Sequence, residues 1–574
     1  MPDRNTHIVE SDLLIIGGGS AGLWAAKRFT ELLPEKKVVI VDKGPKEWGG
    51  LMSMAGGDFD AVLPGDDLDA WLEDFIYYFD GLCDQEQIEE ILRRSHERLE
   101  DYQRYGCEFF RKEDGTLKSI PQRGLPHVKL YPAKLVGRGG EDMVRNLVKQ
   151  LRKANVTSLG RIVVTDLLKQ NGRVVGAVGF DSISGDFYRF RAQVVIAATG
   201  VGGWKTSYGK NTPTGEGVEM VWNAGARLKD FEFSRVWNMP RYFGWEGQTK
   251  LIPLGARFVN AKGEPFMEKY SPVLGVNTDP HFITIAMAME IRAGRGPIYF
   301  DISRINPDDL ILLRPQNGWQ LMNYEKLCKL GMDLFRDNTE WLPQMTISYG
   351  GMEAGIKGTT NVEGLFAAGT ARSTEPGVYA GGFALMSTSV TGHLAGEGAA
   401  EFLASASPVE SDRVDEDIDA LRDAVYAPLG REGLAPHDVL RKIQTAMFPY
   451  DVSILKTEAS LRRALDEIVR IREEEIPNMA AADTHYLLKL REIRGMALVS
   501  ELYLRASLER RESRAGHFRE DFPHRAEDGL AWILIQKDEN GGMSFSRKRV
   551  PLERYRHPIT RYYQDNFRFV TEEH

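Results

Sequence analysis

The sequence predicts an α/β fold made of several structural units, and three features of the chain support this prediction. The N-terminal residues follow a strand, helix and strand pattern, residues 232–345 are rich in proline, glycine and aromatic residues, and most of 413–520 has helical spacing. A chain of 574 residues is also longer than one hydrophobic core usually supports. We expect a first unit over 1–231, an inserted unit over 232–345, a return segment over 346–412, a helical unit over 413–520 and a strand and loop region over 521–574.

A βαβ unit is predicted at the N-terminus. Ser11 to Ile16 is a short apolar run typical of a buried parallel strand. Ala21 to Leu33 has the spacing of a helix, and Lys37 to Val41 is a second run rich in β-branched residues. The run Gly17-Gly18-Gly19-Ser20-Ala21-Gly22 joins the first strand to the helix.

This glycine run has the spacing of a dinucleotide-binding fingerprint. Gly17 allows the tight turn, Gly19 lets the backbone approach a pyrophosphate, and Gly22 permits close packing of the helix on the strand. The helix N-terminus offers free N–H groups and the positive end of its dipole to the phosphates. Asp42, twenty residues beyond Gly22, can accept hydrogen bonds from ribose hydroxyls. The unit is therefore predicted to be of the Rossmann type, but the fingerprint alone does not separate FAD from NAD.

Composition and charge exclude several classes of function. A formal net charge of −9 argues against broad binding of nucleic acid or anionic membranes, which requires a basic surface. Cys83, Cys107 and Cys328 lie far apart and form no CxxC pair, so no iron–sulfur or zinc site is predicted. The polar N-terminus lacks the layout of a signal peptide, and no apolar stretch is long enough to span a membrane. We expect a cytoplasmic protein.

Further motifs extend the pattern over essentially the whole chain. They are Ala197-Ala198-Thr199-Gly200, Thr214-Gly215-Glu216-Gly217, Val362 to Gly369 (VEGLFAAG) and Arg511 to Pro523 (RESRAGHFREDFP). Together with the glycine fingerprint, and in this order, they resemble the motifs of the succinate dehydrogenase / fumarate reductase flavoprotein family. The resemblance implies a Rossmann-like FAD-binding domain with an inserted α+β capping domain and a C-terminal helical domain.

The resemblance also implies which residues contact the cofactor. It adds a second flavin-contact loop over Gly49 to Gly57, and contacts from Ser387 and Thr388 near the isoalloxazine. The cofactor-binding residues expected from the fingerprint and the family together are Gly17, Gly19, Ser20, Ala21, Gly22, Asp42, Lys43, Gly49, Gly50, Gly56, Gly57, Val163, Ala198, Thr199, Gly200, Glu216, Gly369, Thr370, Ser387 and Thr388.

Several family positions are altered in this chain. Gly50 stands where the respiratory enzymes carry the histidine that bonds covalently to the flavin, so FAD is expected to be non-covalent. The dicarboxylate-binding His-Pro-Thr is replaced near Trp237-Asn238, and a further histidine appears as Thr346. The carboxylate-clamping arginine falls on Gly382, and the proton-donating arginine falls near Ile252. Because a dicarboxylate needs paired cationic groups to be held and polarised, succinate and fumarate are disfavoured as substrates.

Arg235 and Tyr349 are the candidate catalytic residues. Glu232 to Arg235 and Pro240 to Phe243 resemble the equivalent stretch of the adenylylsulfate reductase α-subunit, a relative that also binds FAD non-covalently and works with a separate iron–sulfur subunit. Arg235 either projects toward the substrate face of the flavin or is an ion-paired arginine at the domain junction. Tyr349 either donates a proton or hydrogen bond at the flavin face or is a packed residue of a glycine-rich turn.

Three functional hypotheses follow. The first is an FAD-dependent oxidoreductase that transfers a hydride between the flavin and a small organic substrate, in a cleft under the capping domain. The second is a flavin electron-transfer subunit that docks to a ferredoxin-like iron–sulfur protein or another electron carrier. The third is an NAD-dependent dehydrogenase that uses the glycine fingerprint, and this hypothesis predicts a colourless protein.

Overall fold

The computed structural model of the chain describes residues 4–134, 140–207, 211–245, 251–306, 321–373, 377–409 and 413–571. The domain boundary that the sequence predicts after residue 412 lies outside these residues. The described strands are β1 (Thr6–Glu10), β2 (Leu13–Ile16), β3 (Val38–Val41), β4 (Asp58–Asp60), β5 (Ile120–Gln122), β6 (Leu125–Pro132), β7 (Val156–Leu159), β8 (Ile162–Gln170), β9 (Arg173–Asp181), β10 (Phe187–Arg191), β11 (Val194–Ala197), β12 (Leu228–Lys229), β13 (Ser234–Pro240), β14 (Arg257–Val259), β15 (Ile298–Asp301), β16 (Thr339–Ser348), β17 (Gly351–Met352), β18 (Leu365–Ala367), β19 (Ala531–Lys537) and β20 (Met543–Arg549).

The described α-helices are α1 (Ser20–Leu32), α2 (Leu68–Tyr78), α3 (Gln85–Arg104), α4 (Glu141–Leu151), α5 (Glu216–Asn223), α6 (Met267–Tyr270), α7 (Pro280–Glu290), α8 (Leu321–Lys329), α9 (Phe383–Ser405), α10 (Ile418–Tyr426), α11 (Pro436–Met447), α12 (Tyr450–Ser453), α13 (Glu458–Arg470), α14 (Thr484–Glu509) and α15 (Arg568–Thr571). Together the helices and strands form a mixed α/β protein. The predicted fold class is confirmed.

A five-stranded parallel sheet in the order β18-β11-β2-β3-β7 forms the centre of the FAD-binding unit. Every residue of β2, β3 and β11 is buried, because helices cover the sheet. Helix α9 approaches α1 closely: a Cβ on Gly392 would overlap the carbonyl oxygen of Ala21. The two helices therefore hold their N-terminal turns at the same edge of the sheet, where strand carboxyl ends and helix N-termini meet.

The chain around Phe187 to Ala198 differs from the sequence expectation of a single strand. It forms β10, which pairs with β1 and β9, and then β11, which pairs with β2 and β18. Ala192 and Gln193 separate the two strands. The break moves the chain from a second, four-stranded sheet into the parallel sheet, and tertiary pairing of this kind leaves no mark in a continuous apolar run.

The inserted segment forms its own antiparallel sheet, in the order β13-β16-β15-β14, against which α7 packs. β16 runs through Met345 to Ser348, so the boundary that we place after Met345 lies inside this strand. Further along the chain, α11, α13 and α14 pack on one another, and β19 and β20 pair with β12 and β17. The C-terminal residues thus return to the body of the molecule.

Candidate active site

The turn between β2 and α1 depends on two close backbone approaches. Gly17 has a φ of +113°, and a Cβ on it would overlap the carbonyl oxygen of Ala198. A Cβ on Gly22 would overlap the carbonyl oxygen of Gly17, so α1 packs directly on the turn. Both positions exclude a side chain because protein backbone already fills the space.

Gly19 excludes a side chain for a different reason. The nearest atom to a Cβ built there is the carbonyl oxygen of Gly49, at 3.8 Å, so the protein leaves this space open. Gly19 is the N-cap of α1, no side chain caps the helix, and its first turn carries no acidic residue. The free N–H groups and the positive end of the helix dipole therefore face a cavity, an arrangement that fits a phosphate.

Asp42 follows β3 and fixes the loops on both sides of this cavity. Its Oδ2 accepts from the Gly18 N–H (2.7 Å), and its Oδ1 accepts from the Gly44 N–H (2.6 Å). Each carboxylate oxygen can accept a further hydrogen bond. Asp42 lines the cavity and is placed to accept from hydroxyl groups of a bound nucleotide.

Lys43 forms the charged rim of the cavity with two glutamates. Its Nζ pairs with Glu216 and with Glu492 (3.5 Å) and donates to Thr214 Oγ1 (2.9 Å). Burial alone would lower the pKa of Lys43, but the neighbouring carboxylates outweigh burial and raise it. Lys43 therefore remains a cation that joins β3, the N-terminus of α5 and α14.

These groups surround a cavity of about 330 Å³. The sequence-predicted residues that line it are Gly17, Gly19, Ser20, Ala21, Asp42, Lys43, Gly49, Gly50, Val163, Ala198, Thr199, Gly200, Glu216, Thr370 and Thr388. They come from segments between residues 17 and 388, and the fold brings them together. An uncapped helix N-terminus beside a carboxylate and bare glycine backbone fits the diphosphate and ribose of a dinucleotide.

Five of the predicted residues do not line the cavity. Gly22 packs α1 on the turn, and Gly369 lies next to Ala21 of α1. Gly56 and Gly57 lead from the 3₁₀ turn Gly50–Met54 into β4. Ser387 is buried, with its Oγ donating to the carbonyl oxygen of Ala384 (3.3 Å). Their position supports the walls of the cavity from behind.

Sequence reasoning missed most of the apolar lining. Trp48, Leu51, Met52 and Ala55 of the predicted flavin-contact loop and its flank line the cavity, together with Leu385 of α9. The glycines of that loop carried the prediction, and the apolar residues between them gave no periodic signal. Their contact with the cavity becomes visible only once the loop is folded against α1 and α4.

Arg235 lies close to the N-terminus of α9. Its Nε donates to Thr346 Oγ1 (3.2 Å), and its guanidinium carbon lies 5.7 Å from the ring centroid of Trp237. Trp237 in turn contacts Tyr379 edge to face, at 4.7 Å between ring centroids. The structure thus brings Arg235 together with Thr346 and with the loop that precedes α9. Arg235 does not line the cavity itself.

Tyr349 lies in the glycine-rich turn after β16. Only 9% of this residue is exposed, and its backbone N–H donates to the carbonyl oxygen of Phe233 (3.0 Å). Tyr349 is also absent from the cavity lining. The backbone of this turn is held tightly, since a Cβ on Gly350 would overlap the ring of Phe233.

Asp60 occupies the position next to Gly382, the N-cap of α9. A Cβ on Gly382 would overlap the Asp60 carboxyl group, and Asp60 is fully buried. The amide of Gln122 donates to Asp60 Oδ1 (3.1 Å) and to the carbonyl oxygen of Gly381. No larger residue fits at Gly382 while Asp60 is there. The carboxyl group of Asp60 lies where the family carries the start of an arginine side chain.

The C-terminal signature residues His517 and Arg519 are fully buried. Arg519 donates to both oxygens of Asp521 (2.7 and 2.8 Å), and Lys456 Nζ lies 2.8 Å from His517 Nδ1. Burial and the nearby cations hold the pKa of His517 well below its usual value, so the ring is neutral. Neither residue lines the cavity, and both belong to a network that fastens the C-terminal region to the fold.

Comparison with known proteins identifies the fold and the cavity. The family model described as "FAD binding domain" matches residues 12–390, more than half of the chain. The model described as "Fumarate reductase flavoprotein C-term" matches residues 441–563. The chain belongs to the succinate dehydrogenase / fumarate reductase flavoprotein family. The resemblance of its motifs, the binding of FAD and its class as an FAD-dependent oxidoreductase are thereby confirmed.

Individual members of the family are similar over nearly their whole length. A fumarate reductase (CoM/CoB) flavoprotein chain from Methanothermobacter marburgensis is 29% identical over 558 residues, which cover 93% of this chain and 98% of that one. Among solved structures, the E. coli quinol fumarate reductase FrdA superposes with a TM-score of 0.87 at 22% identity, covering 97% of this flavoprotein and 99% of that chain. Adenylylsulfate reductase from Archaeoglobus fulgidus gives a TM-score of 0.82 at 20% identity, covering 98% of each chain. The two structures show that the fold is shared.

Two further observations bear on this flavoprotein's surroundings. None of the described helices combines the length and the apolar character that a membrane crossing requires. Within the described residues, no group of three or more histidine, cysteine, aspartate or glutamate side chains is arranged to hold a metal ion.

Proposed function

We propose that this flavoprotein exchanges a hydride between non-covalently bound FAD and a small organic substrate other than succinate or fumarate. The exchange takes place in the cleft between the FAD-binding unit and the inserted capping segment, 232–345. The flavin supplies the redox chemistry when bound, and the chain supplies orientation and electrostatics. The observation that carries the proposal is the Asp60 carboxyl group packed against Gly382.

The residues around the cavity divide the cofactor between them. The N–H groups at the start of α1, from Gly19 onward, hold the pyrophosphate, and Asp42 accepts from a ribose hydroxyl. Gly49 and Gly50 and the first turn of α9 meet the flavin ring system, with Thr388 facing the cavity. Lys43 and Glu216 close the rim near the nucleotide.

FAD should be released completely when the protein is denatured with acid, because Gly50 offers no nucleophile for a covalent bond. The measurement is the absorbance of the supernatant after precipitation, compared with the flavin content of the native protein. Flavin fluorescence that travels with the denatured polypeptide on a gel would contradict non-covalent binding.

The substrate site lacks the groups that a dicarboxylate requires. At Gly382 no side chain fits, and a carboxyl group takes the place of a cation. Thr346 uses its hydroxyl to donate to the carbonyl oxygen of Arg235 (3.0 Å), and Ile252 is a buried apolar residue. A second substrate carboxylate would therefore meet a carboxyl group or an apolar side chain instead of a cationic fork.

Arg235 stabilises negative charge that develops on the substrate as the hydride moves. Its guanidinium is oriented by Thr346 and Trp237, and it lies in the sheet that covers the loop before α9. Tyr349 supports the same region as a hydrogen-bonding residue of the turn after β16. A planar guanidinium held in this way presents more than one N–H to an oxygen.

Replacing Arg235 by alanine should lower the rate of flavin reduction by roughly a hundredfold or more and leave the FAD content intact. Arg235→Lys should be nearly as damaging, because a point charge does not reproduce the planar fork. The matched control is Arg241→Ala, which removes an exposed arginine from the end of the same strand, where it pairs with Glu340 (2.7 Å). Rates would be measured with the metabolite that bleaches the flavin.

An outcome against a catalytic Arg235 is equally clear. If the variant loses FAD or melts at a lower temperature, but its folded fraction reduces flavin at the normal rate, Arg235 only holds the domain junction together. Normal reduction in Arg235→Ala would likewise end its assignment to the reaction.

A second candidate function is favoured by the names of the relatives, several of which are subunits of larger enzymes. In that case the chain is a flavin electron-transfer subunit that docks to a ferredoxin-like iron–sulfur protein. The two functions differ in whether a small molecule alone can reduce or reoxidise the flavin.

A further inference from the structure

The turn between β5 and β6 reaches the substrate side of α9. Gln122, at its start, donates through its side-chain amide to the carbonyl oxygen of Gly381 and to Asp60 Oδ1. Gly381 and Gly382 immediately precede α9, whose first turn lines the cofactor cavity. The residue that follows Gln122 is therefore placed at the edge of the cleft, beside the position that has lost the family's arginine.

Arg123 is that residue, and among the described residues it has no carboxylate partner. Its Nη1 donates to the carbonyl oxygen of Thr278 (3.0 Å), in the capping segment. No aspartate or glutamate in the described part of the chain lies within the 4.0 Å of an ion pair with it. Burial lowers its pKa, and the nearby Tyr78 and Asp279 oppose that change. The guanidinium remains charged at neutral pH and keeps N–H groups beyond the one used by Thr278.

Asp279 is the acidic group that could compete for this charge. It is the N-cap of α7, and its Oδ1 accepts from the N–H groups of His281 (2.7 Å) and Phe282 (3.4 Å). Burial raises the pKa of Asp279 to about 6, which reduces its negative charge as the pH approaches that value. The carboxyl group is thus committed to the helix and does not pair with Arg123.

The surroundings of Arg123 join it to Arg235. Tyr78 donates its hydroxyl to the carbonyl oxygen of Tyr379 (2.7 Å), and Tyr379 is also among the groups that act on Arg123. The ring of Tyr379 contacts Trp237, which lies under Arg235. Two arginines from different segments therefore adjoin one aromatic pair in front of α9.

We propose that Arg123 anchors the anionic group of the substrate, and that this substrate carries one carboxylate. This deepens the proposed function and rests on it. A buried cation of this kind is costly unless an anion pairs with it, and a guanidinium fork matches a carboxylate. The second clamp is replaced by Asp60, so a second carboxylate gains nothing. The anchor comes from the β5–β6 turn instead of from the start of α9.

The test uses the FAD-loaded protein and acetate as the probe. Titration with acetate should perturb the visible flavin spectrum in a saturable way, and succinate should bind no more tightly than acetate. Arg123→Gln should weaken acetate binding by roughly tenfold or more with unchanged FAD content, which is the size of effect expected for one lost charged hydrogen bond. Arg441→Gln is the matched control, because Arg441 is exposed on α11 and far along the chain from the cleft.

Equal acetate affinity in Arg123→Gln and the unaltered protein would overturn the proposal. It would also be overturned if acetate has no effect on the flavin while some metabolite still reduces it, since the proposed function would then stand without the anchor. If Arg123→Gln does not retain FAD, Arg123→Lys replaces it: weaker acetate binding in this variant supports the fork, and unchanged binding overturns it. Binding of succinate much tighter than of acetate contradicts the claim of one carboxylate.

Discussion

Gly19→Val should give a folded protein that retains no FAD. The space around a Cβ at Gly19 is open in the protein, with the nearest atom at 3.8 Å, so the substitution leaves the fold intact. The same side chain would stand between the N–H groups of α1 and the pyrophosphate and would block their approach. The measurement is the ratio of flavin to protein absorbance after purification in excess FAD, together with the melting temperature of the apoprotein.

Gly22→Ala is the informative counterpart, three residues along the same helix. A Cβ there would overlap the carbonyl oxygen of Gly17, so this variant should lower the melting temperature of the apoprotein itself. The pair separates a glycine that the cofactor requires from a glycine that the packing requires. Full flavin occupancy in folded Gly19→Val would remove the N-terminal turn from cofactor binding.

Succinate oxidation and fumarate reduction should both be negligible. A hydrogen bond to a charged group is worth about 1.5–3 kcal/mol, and the positions at Gly382, Thr346 and Ile252 each lack one. Together these losses correspond to roughly a thousandfold or more in rate. The measurement follows flavin absorbance after anaerobic mixing, with succinate added to the oxidised protein and fumarate to the dithionite-reduced protein.

The similarity to fumarate reductases makes this prediction a severe one. The Methanothermobacter relative is 29% identical over 93% of this chain, and its name states the activity that is expected to be missing here. Turnover of either dicarboxylate at about 10 per second, a typical enzyme rate, would refute the alignment of Gly382, Thr346 and Ile252 with the substrate-binding positions.

The parts of the fold that local pattern determines could be predicted from the sequence. The β2 and α1 elements begin and end within two residues of their predicted limits, because an apolar run, a glycine turn and a helical period follow one another without a gap. α14 was predictable for the same reason, since its spacing is sustained over Thr484–Glu509. The strand pattern over Phe187 to Ala198 failed where the chain changes sheets.

The substrate side depends on contacts that no local pattern records. Asp60 meets Gly382 across more than half of the chain, and Gln122 reaches Gly381 from a third segment. The motif comparison indicated only that a cation is missing at Gly382. It gave no sign that a carboxyl group fills the place or that Arg123 stands nearby. Arg235 was found because it lies in a stretch with a recognisable resemblance, and its partner Thr346 was known only as a lost histidine.

The central claim is that the FAD-loaded protein exchanges a hydride with a small molecule by itself. The most direct measurement is anaerobic stopped-flow absorbance of the protein alone, oxidised and reduced, against a panel of metabolites that carry one carboxylate, with succinate and fumarate included. The account predicts that at least one monocarboxylate bleaches or reoxidises the flavin completely, while both dicarboxylates leave it unchanged. A flavin that responds to no small molecule, and only to a reduced or oxidised ferredoxin-like protein, would contradict it.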